Sequence, residues 1–156
     1  MAEFRYAAHE SPVWRERSNF IVKAALADGD SIDFEQLWAR QIADFQFEIC
    51  CIPFYVPGLA LGDAVSTSQD GQYVVTEVVA PSGRFVYRVW FGDTNEAVRE
   101  TILSDLEGMS LLLEWASPNM LAIDAEYEGA AKQLADYLWP REKAGQIELE
   151  GFIFGH

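Results

Sequence analysis

Histidine and cysteine are scarce in this sequence: its 156 residues hold two of each. The histidines, His9 and His156, stand near the two chain ends, and the cysteines, Cys50 and Cys51, are adjacent. A Ser, Thr or Cys nucleophile wants an oriented base, most often an imidazole, so neither a Ser-His-Asp nor a Cys-His centre is expected. A structural zinc site wants four spaced ligands, and neighbours in a strand point to opposite faces and make a poor disulfide. The cysteines are read as small buried strand residues, reduced and metal-free. No cofactor is implied, since neither G-x-x-x-x-G-K-[ST] nor G-x-G-x-x-G occurs. Long apolar runs are also missing, and none approaches the ~18–20 residues that span a bilayer. The opening MAEFRYAAHESPVWRERSNF lacks the apolar stretch of a signal peptide. With reduced thiols, this gives the expectation of a cytoplasmic protein with no membrane partner.

Basic residues are the third shortage. Lys and Arg number 11 against 25 Asp and Glu, a net charge of −14. The excess is even: residues 1–80 carry 12 acids and 5 bases, residues 81–156 carry 13 and 6, leaving −7 in each part. Such a field repels nucleic acid and anionic membranes and attracts basic partners. It also serves solubility alone. Half of the residues are apolar and 13% are aromatic, enough for a folded core. A chain of this length buries roughly 70% of its unfolded surface.

Alternation predicts the first half to be β. Residues 1–17 are mixed and charged and read as a loosely packed arm. Phe20, Val22, Ala24 and Leu26 alternate with Ile21, Lys23 and Ala25. DGDSID (28–33) reads as a solvated turn. Phe34–Arg40 and Phe45–Ile52 suggest a hairpin. An ordered Pro- and Gly-bearing loop follows over 52–65 and feeds a strand near Ala64. Asp70-Gly71 is a favoured hairpin turn. Tyr73–Ala80 and Phe85–Phe91 are strands. Residues 18–84 are expected to form a curled antiparallel β-sheet or partial barrel.

The pattern then changes to β-α-β-β-α-β, the ferredoxin-like order, over residues 85–156. Asp93 and Glu96 are spaced as a capping box. Val98, Ile102, Leu106 and Met109 form a helical stripe ending near Gly108. Ser110–Ala116 and Met120–Ala125 are short strands. Tyr127, Ala131, Leu134 and Leu138 form a second stripe, expected to stop at Pro140. Gln146–Phe154 is the last expected strand. The fold class is therefore α+β, with the two β-containing parts sharing one unit.

EQLWA (35–39), CIPFYVPGLALGDAV (51–65) and VVAPSGRFVYRVWF (78–91) together resemble a bacterial family known as domain of unknown function 4265. Glu35, Leu37, Trp38, Ala39, Ile52, Pro53, Phe54, Gly58, Gly62, Asp63, Val65, Ser82 and Gly83 match its pattern. Cys51 departs from it, standing where the family often has Asn. The resemblance implies a bacterial origin and a fold layout, and carries no catalytic residue.

The expected function is a non-catalytic, acidic binding protein, of the kind formed by bacterial immunity proteins that neutralise a basic, nuclease-type toxin by direct contact. Asp93, Glu96, Glu100, Asp124, Glu126 and Glu128 are the expected partner-binding residues. Glu96 and Glu100 share a helix face at i,i+4 spacing. The alternatives are a small-molecule-responsive regulatory domain, by fold analogy, and an enzyme of unrecognised type. The place for a small ligand would be the loop of Pro53, Phe54, Gly58, Gly62 and Asp63, facing the helical half. Gly62-Asp63 also reads structurally, as a turn in which the carboxylate caps backbone amides.

Overall fold

The computed structural model describes residues 4–27 and 32–149. Most of the DGDSID turn, the end of the last expected strand and His156 lie outside them. Ten strands and two α-helices follow in order: β1 (Tyr6–Ala7), β2 (Phe20–Ala25), β3 (Phe34–Ala43), β4 (Gln46–Ile49), β5 (Ala64–Thr67), β6 (Val75–Ala80), β7 (Phe85–Trp90), α1 (Glu96–Glu107), β8 (Leu112–Ser117), β9 (Met120–Ala125), α2 (Glu128–Lys143) and β10 (Glu148–Leu149).

The first sheet runs β1-β3-β4-β5-β6, with β2 on the other side of β3. Its alternating apolar residues point into a curl, where Val22, Leu37, Ala39, Phe47, Ile49, Cys51 and Val65 are buried together. The curl brings β2 to the residues before β6, and Lys23 N donates to Tyr73 O at 3.1 Å. That contact is a single bridge, so the sheet does not close into a barrel. Nor is it purely antiparallel, because β1 pairs with β3 in parallel. Residues of the N-terminal arm add a two-residue strand and the buried side chains His9 and Pro12.

The second sheet has the order β10-β7-β9-β8, all antiparallel, which is the ferredoxin-like arrangement. One face carries Tyr87, Val89, Leu121, Ile123 and Ala125, packed under Ile102 and Leu106 of α1 and Ala131, Leu134 and Leu138 of α2. The other face presents Val86, Met120 and Ala122 to Ile52, Phe54 and Ala60 from the loop after β4. Sandwiched in this way, β9 is buried at all six positions.

Both helix ends differ from expectation. Asn95, not Asp93, caps α1, its side chain accepting from the Ala97 and Val98 amides. The chain first makes a turn, with Thr94 N bonded to Phe91 O at 2.8 Å, which moves the cap two residues on. Pro140 does not end α2, which runs on to Lys143. Arg141 reaches back to the Tyr137 carbonyl at 2.7 Å, and Ala144 N bonds the Pro140 carbonyl at 3.0 Å. Tyr127 precedes α2 and is exposed rather than part of its buried stripe.

Candidate functional site

Strand alternation places charged residues where apolar ones belong. Glu35 lies on the inward face of β3 with Leu37 and Ala39. Glu114 and Arg88 both flank Ala122 of β9, on the face turned toward the first sheet. All three are buried, and burial of a charge is costly unless it is paired and hydrogen-bonded. What meets them is the segment Ile52–Val56 and the arm residue His9.

His9 sits between the two carboxylates. Its Nδ1 lies 2.8 Å from Glu114 Oε1 and its Nε2 lies 2.7 Å from Glu35 Oε2. Its ring stacks on Phe54 with centroids 3.8 Å apart and planes inclined by 16°. Glu35 also accepts from the amides of Phe54, Tyr55 and Val56 at 2.6, 2.9 and 3.0 Å. Glu114 Oε2 accepts from Ile52 N at 2.6 Å and Val13 N at 3.3 Å. Arg88 holds the same segment by its carbonyls, donating to Pro53 O and Val56 O at 3.2 and 2.9 Å. With the imidazole protonated, the two carboxylates, His9 and Arg88 carry no net charge.

The electrostatics agree with that protonation state. Burial alone would lower the His9 pKa, but the Cys51 sulfur and the two carboxylates outweigh it and push it up to about 12. Burial would raise Glu35, yet the His9 hydrogen bond and charge and the Phe54 and Tyr55 amides hold it below the usual carboxylate range. Burial raises the Cys51 thiol, so it stays protonated at neutral pH. An imidazolium donating both N–H groups has no nitrogen left to act as a base. The cluster acts as a clamp between two sheets and a loop. Both cysteines are free and buried. Cys51 joins the inner core, and Cys50 lies beside Glu48, Arg17 and Arg40.

The loop residues expected to meet a ligand are mostly turned inward. Pro53, Phe54 and Asp63 are buried, Gly62 is half-buried and Gly58 is exposed. Asp63 caps backbone amides, accepting from Ala60 N at 2.9 Å and Ser82 N at 2.8 Å. Gly62 has φ of +85°, and a Cβ there would lie 3.1 Å from the Ser82 Cβ, which accounts for the glycine.

The expected partner-binding acids separate. Asp93, Glu96, Glu100, Glu126 and Glu128 are exposed. Asp124 is buried and bonded to Arg84, Nη2 to Oδ2 at 2.7 Å and Nε to Oδ1 at 3.0 Å. It is removed from an open acidic face because the inward alternation of β9 points it into the seam. The others form two groups. Asp93, Glu96 and Glu100 follow the Trp90 end of β7, whereas Glu126 and Glu128 follow Ala125, which pairs with Phe85 at its other end. The ends of that strand are roughly 17 Å apart. Arg99, the one base of α1, is turned away from the helix acids: it donates to Asn119 Oδ1 at 3.0 Å and to the Pro118 carbonyl, and stacks over Phe91 and Trp115. Among the described residues, no α1 carboxylate is ion-paired. Beside Asp93 opens a groove of about 740 Å³ lined by Trp90, Asp93, Glu142 and Glu148, with no basic residue among the described residues of its wall.

His9, Arg88 and Glu114 were not singled out from the sequence. The available signal was a charge at an inward register position in an otherwise apolar strand face.

The architecture defines an α+β protein in which a ferredoxin-like half is clamped to a curled sheet by buried charges. The chain belongs to the family described as Domain of unknown function (DUF4265), whose pattern matches residues 35–149. That span includes Glu35, Arg88 and Glu114 and begins after His9. A crystal structure of a hypothetical protein from Neisseria gonorrhoeae shares the fold, with a TM-score of 0.73 over 88% of this chain and 98% of that one at 20% identity. No curated protein matches the chain. No described helix is long and apolar enough to cross a membrane.

Proposed function

We propose that this is a non-catalytic binding protein of the cytoplasm that docks a basic protein on the outer face of α1, in the manner of an immunity protein occupying the phosphate-binding surface of a nuclease-type toxin. The observation that carries the reading is the uncompensated acid of α1. Glu96, Glu100 and Glu107 are exposed, Asp105 is held by the Tyr137 hydroxyl, and Arg99 is committed to the β8–β9 turn. Like charges at i,i+4 cost a few tenths of a kcal/mol in a helix. A basic partner converts that cost into steering and specificity. The acidic groove beside Asp93 extends the same field and has Trp90 as an aromatic wall. Asp124, neutralised by Arg84, has no part in this face, and Glu126 and Glu128, which follow the opposite end of β7, are left out of it.

The test is association kinetics with a basic partner recovered from the native cell. The double variant Glu96→Lys/Glu100→Lys slows association about tenfold or more at low salt and flattens its salt dependence, with an unchanged circular dichroism spectrum. An unchanged association rate removes α1 as the docking face.

A further inference from the structure

The arm that carries His9 is anchored in an unusual way. Between Phe4 and Ser11, His9 is the one buried residue, its neighbours Ala8 and Glu10 being exposed. Phe4 and Tyr6 lie against the Phe34 ring at the surface, and Trp38 Nε1 donates to the His9 carbonyl at 3.1 Å. The imidazole is thus a plug inserted from the arm just after β1 into a hole whose walls belong to other elements.

Those walls have a definite chemistry. The floor is the Phe54 ring, parallel to the plug. Opposite edges are the carboxylates Glu35 Oε2 and Glu114 Oε1, both fully buried and both oriented by backbone amides rather than by His9 alone. The Cys51 sulfur completes the lining. Two fixed anions across an aromatic face select a flat cation with donors on opposite edges, joining charge-assisted hydrogen bonds to a cation–π contact.

We propose that Glu35, Phe54 and Glu114 form a binding socket for a planar cation of the imidazolium class, in which His9 is the ligand supplied in cis and the N-terminal arm is the strap that delivers it. The socket is held in shape by groups that remain when the imidazole is gone. Removing the ring therefore leaves a site that takes its chemical equivalent from solution.

The experiment is complementation of His9→Gly with free imidazole at neutral pH. At about 100-fold above its dissociation constant, imidazole raises the melting temperature of the variant by roughly 5–10 °C. It leaves the wild-type protein, whose socket is filled, unchanged. Pyrrole and benzene, flat but uncharged, give no such rise, and 1-methylimidazole, with one donor edge blocked, gives a smaller one. The triple variant His9→Gly/Glu35→Gln/Glu114→Gln loses the response. If His9→Gly is unfolded alone, the readout becomes the imidazole-dependent return of its native circular dichroism. No rise and no return, an equal effect of pyrrole or benzene, or an equal effect on the wild type overturns the proposal.

Discussion

Glu35→Gln removes one charge from the clamp with almost no change in volume, and its cost follows from the bonds it alters. The carboxylate accepts from His9, Phe54, Tyr55 and Val56. An amide keeps one acceptor oxygen and turns an NH₂ group toward donors that cannot accept from it. The buried imidazolium is left with Glu114 alone, and breaking a buried ion pair from one side costs ~3–5 kcal/mol. Mutation of an exposed acid such as Glu77 stays within about 0.5 kcal/mol, so the two cases are well separated. Urea unfolding followed by tryptophan fluorescence measures the difference, read from the midpoint at constant slope. The cycle with Glu114→Gln adds a sharper condition. Both carboxylates act on one ring, so the double variant departs from additivity by more than the ~0.5 kcal/mol expected of independent sites. A Glu35→Gln loss below about 1 kcal/mol refutes the view that the buried charges clamp the seam.

Two further outcomes follow from the same geometry. The folded-state pKa of His9 is raised from 6.5 to about 12, so its stabilising contribution is complete below the unfolded value and is lost as pH rises through that window. The stability gap between wild type and His9→Gln, measured by urea titration, therefore narrows between pH ~6 and ~10; Glu35, Glu114 and Cys51 face the ring and are common to both proteins, and a gap that widens contradicts the assignment. At the start of α1, Asn95→Ala costs ~1 kcal/mol through loss of the cap, whereas Asp93→Ala leaves the unfolding midpoint within ~0.5 kcal/mol of wild type; the reverse order restores Asp93 as the cap.

The strands and helices that build the two sheets were legible wherever a period repeated. The helical stripes Val98-Ile102-Leu106 and Ala131-Leu134-Leu138 are each set by one buried face, and the apolar strand Phe85–Trp90 is covered on both faces, so local pattern and tertiary packing agree. The arm was not legible for the opposite reason. β1 has two residues, too few for a period, and its parallel pairing with β3 joins segments 28 positions apart. The cap of α1 was misplaced because Asp93 and Asn95 are both competent by type, and only the turn at Phe91–Thr94 decides between them. The clamp was half visible. Glu35 stood out within the matched EQLWA pattern, but its meaning depends on His9 and on a strand 79 positions later in the chain, and composition cannot show that a terminal histidine is folded inward.

The acids of this chain divide by what answers them. Glu35 and Glu114 are answered by His9 and by backbone amides, Asp124 by Arg84, and Asp63 by two amides. Each lies where one sheet or its loop meets the next, where apolar contact alone is non-directional. Directional bonds to Ile52–Val56 set the placement of the loop on both sheets, the role in which buried charge is best rationalised as a source of specificity. Of the α1 acids, Asp105 is answered by the Tyr137 hydroxyl, whereas Glu96, Glu100 and Glu107 make no ion pair among the described residues, because the helix docks through Ile102 and Leu106 and commits its single base to the β8–β9 turn. Fold specificity at the seam therefore makes no demand on the α1 carboxylates. The proposed docking face can therefore be altered at Glu96 and Glu100 while the clamp is left untouched.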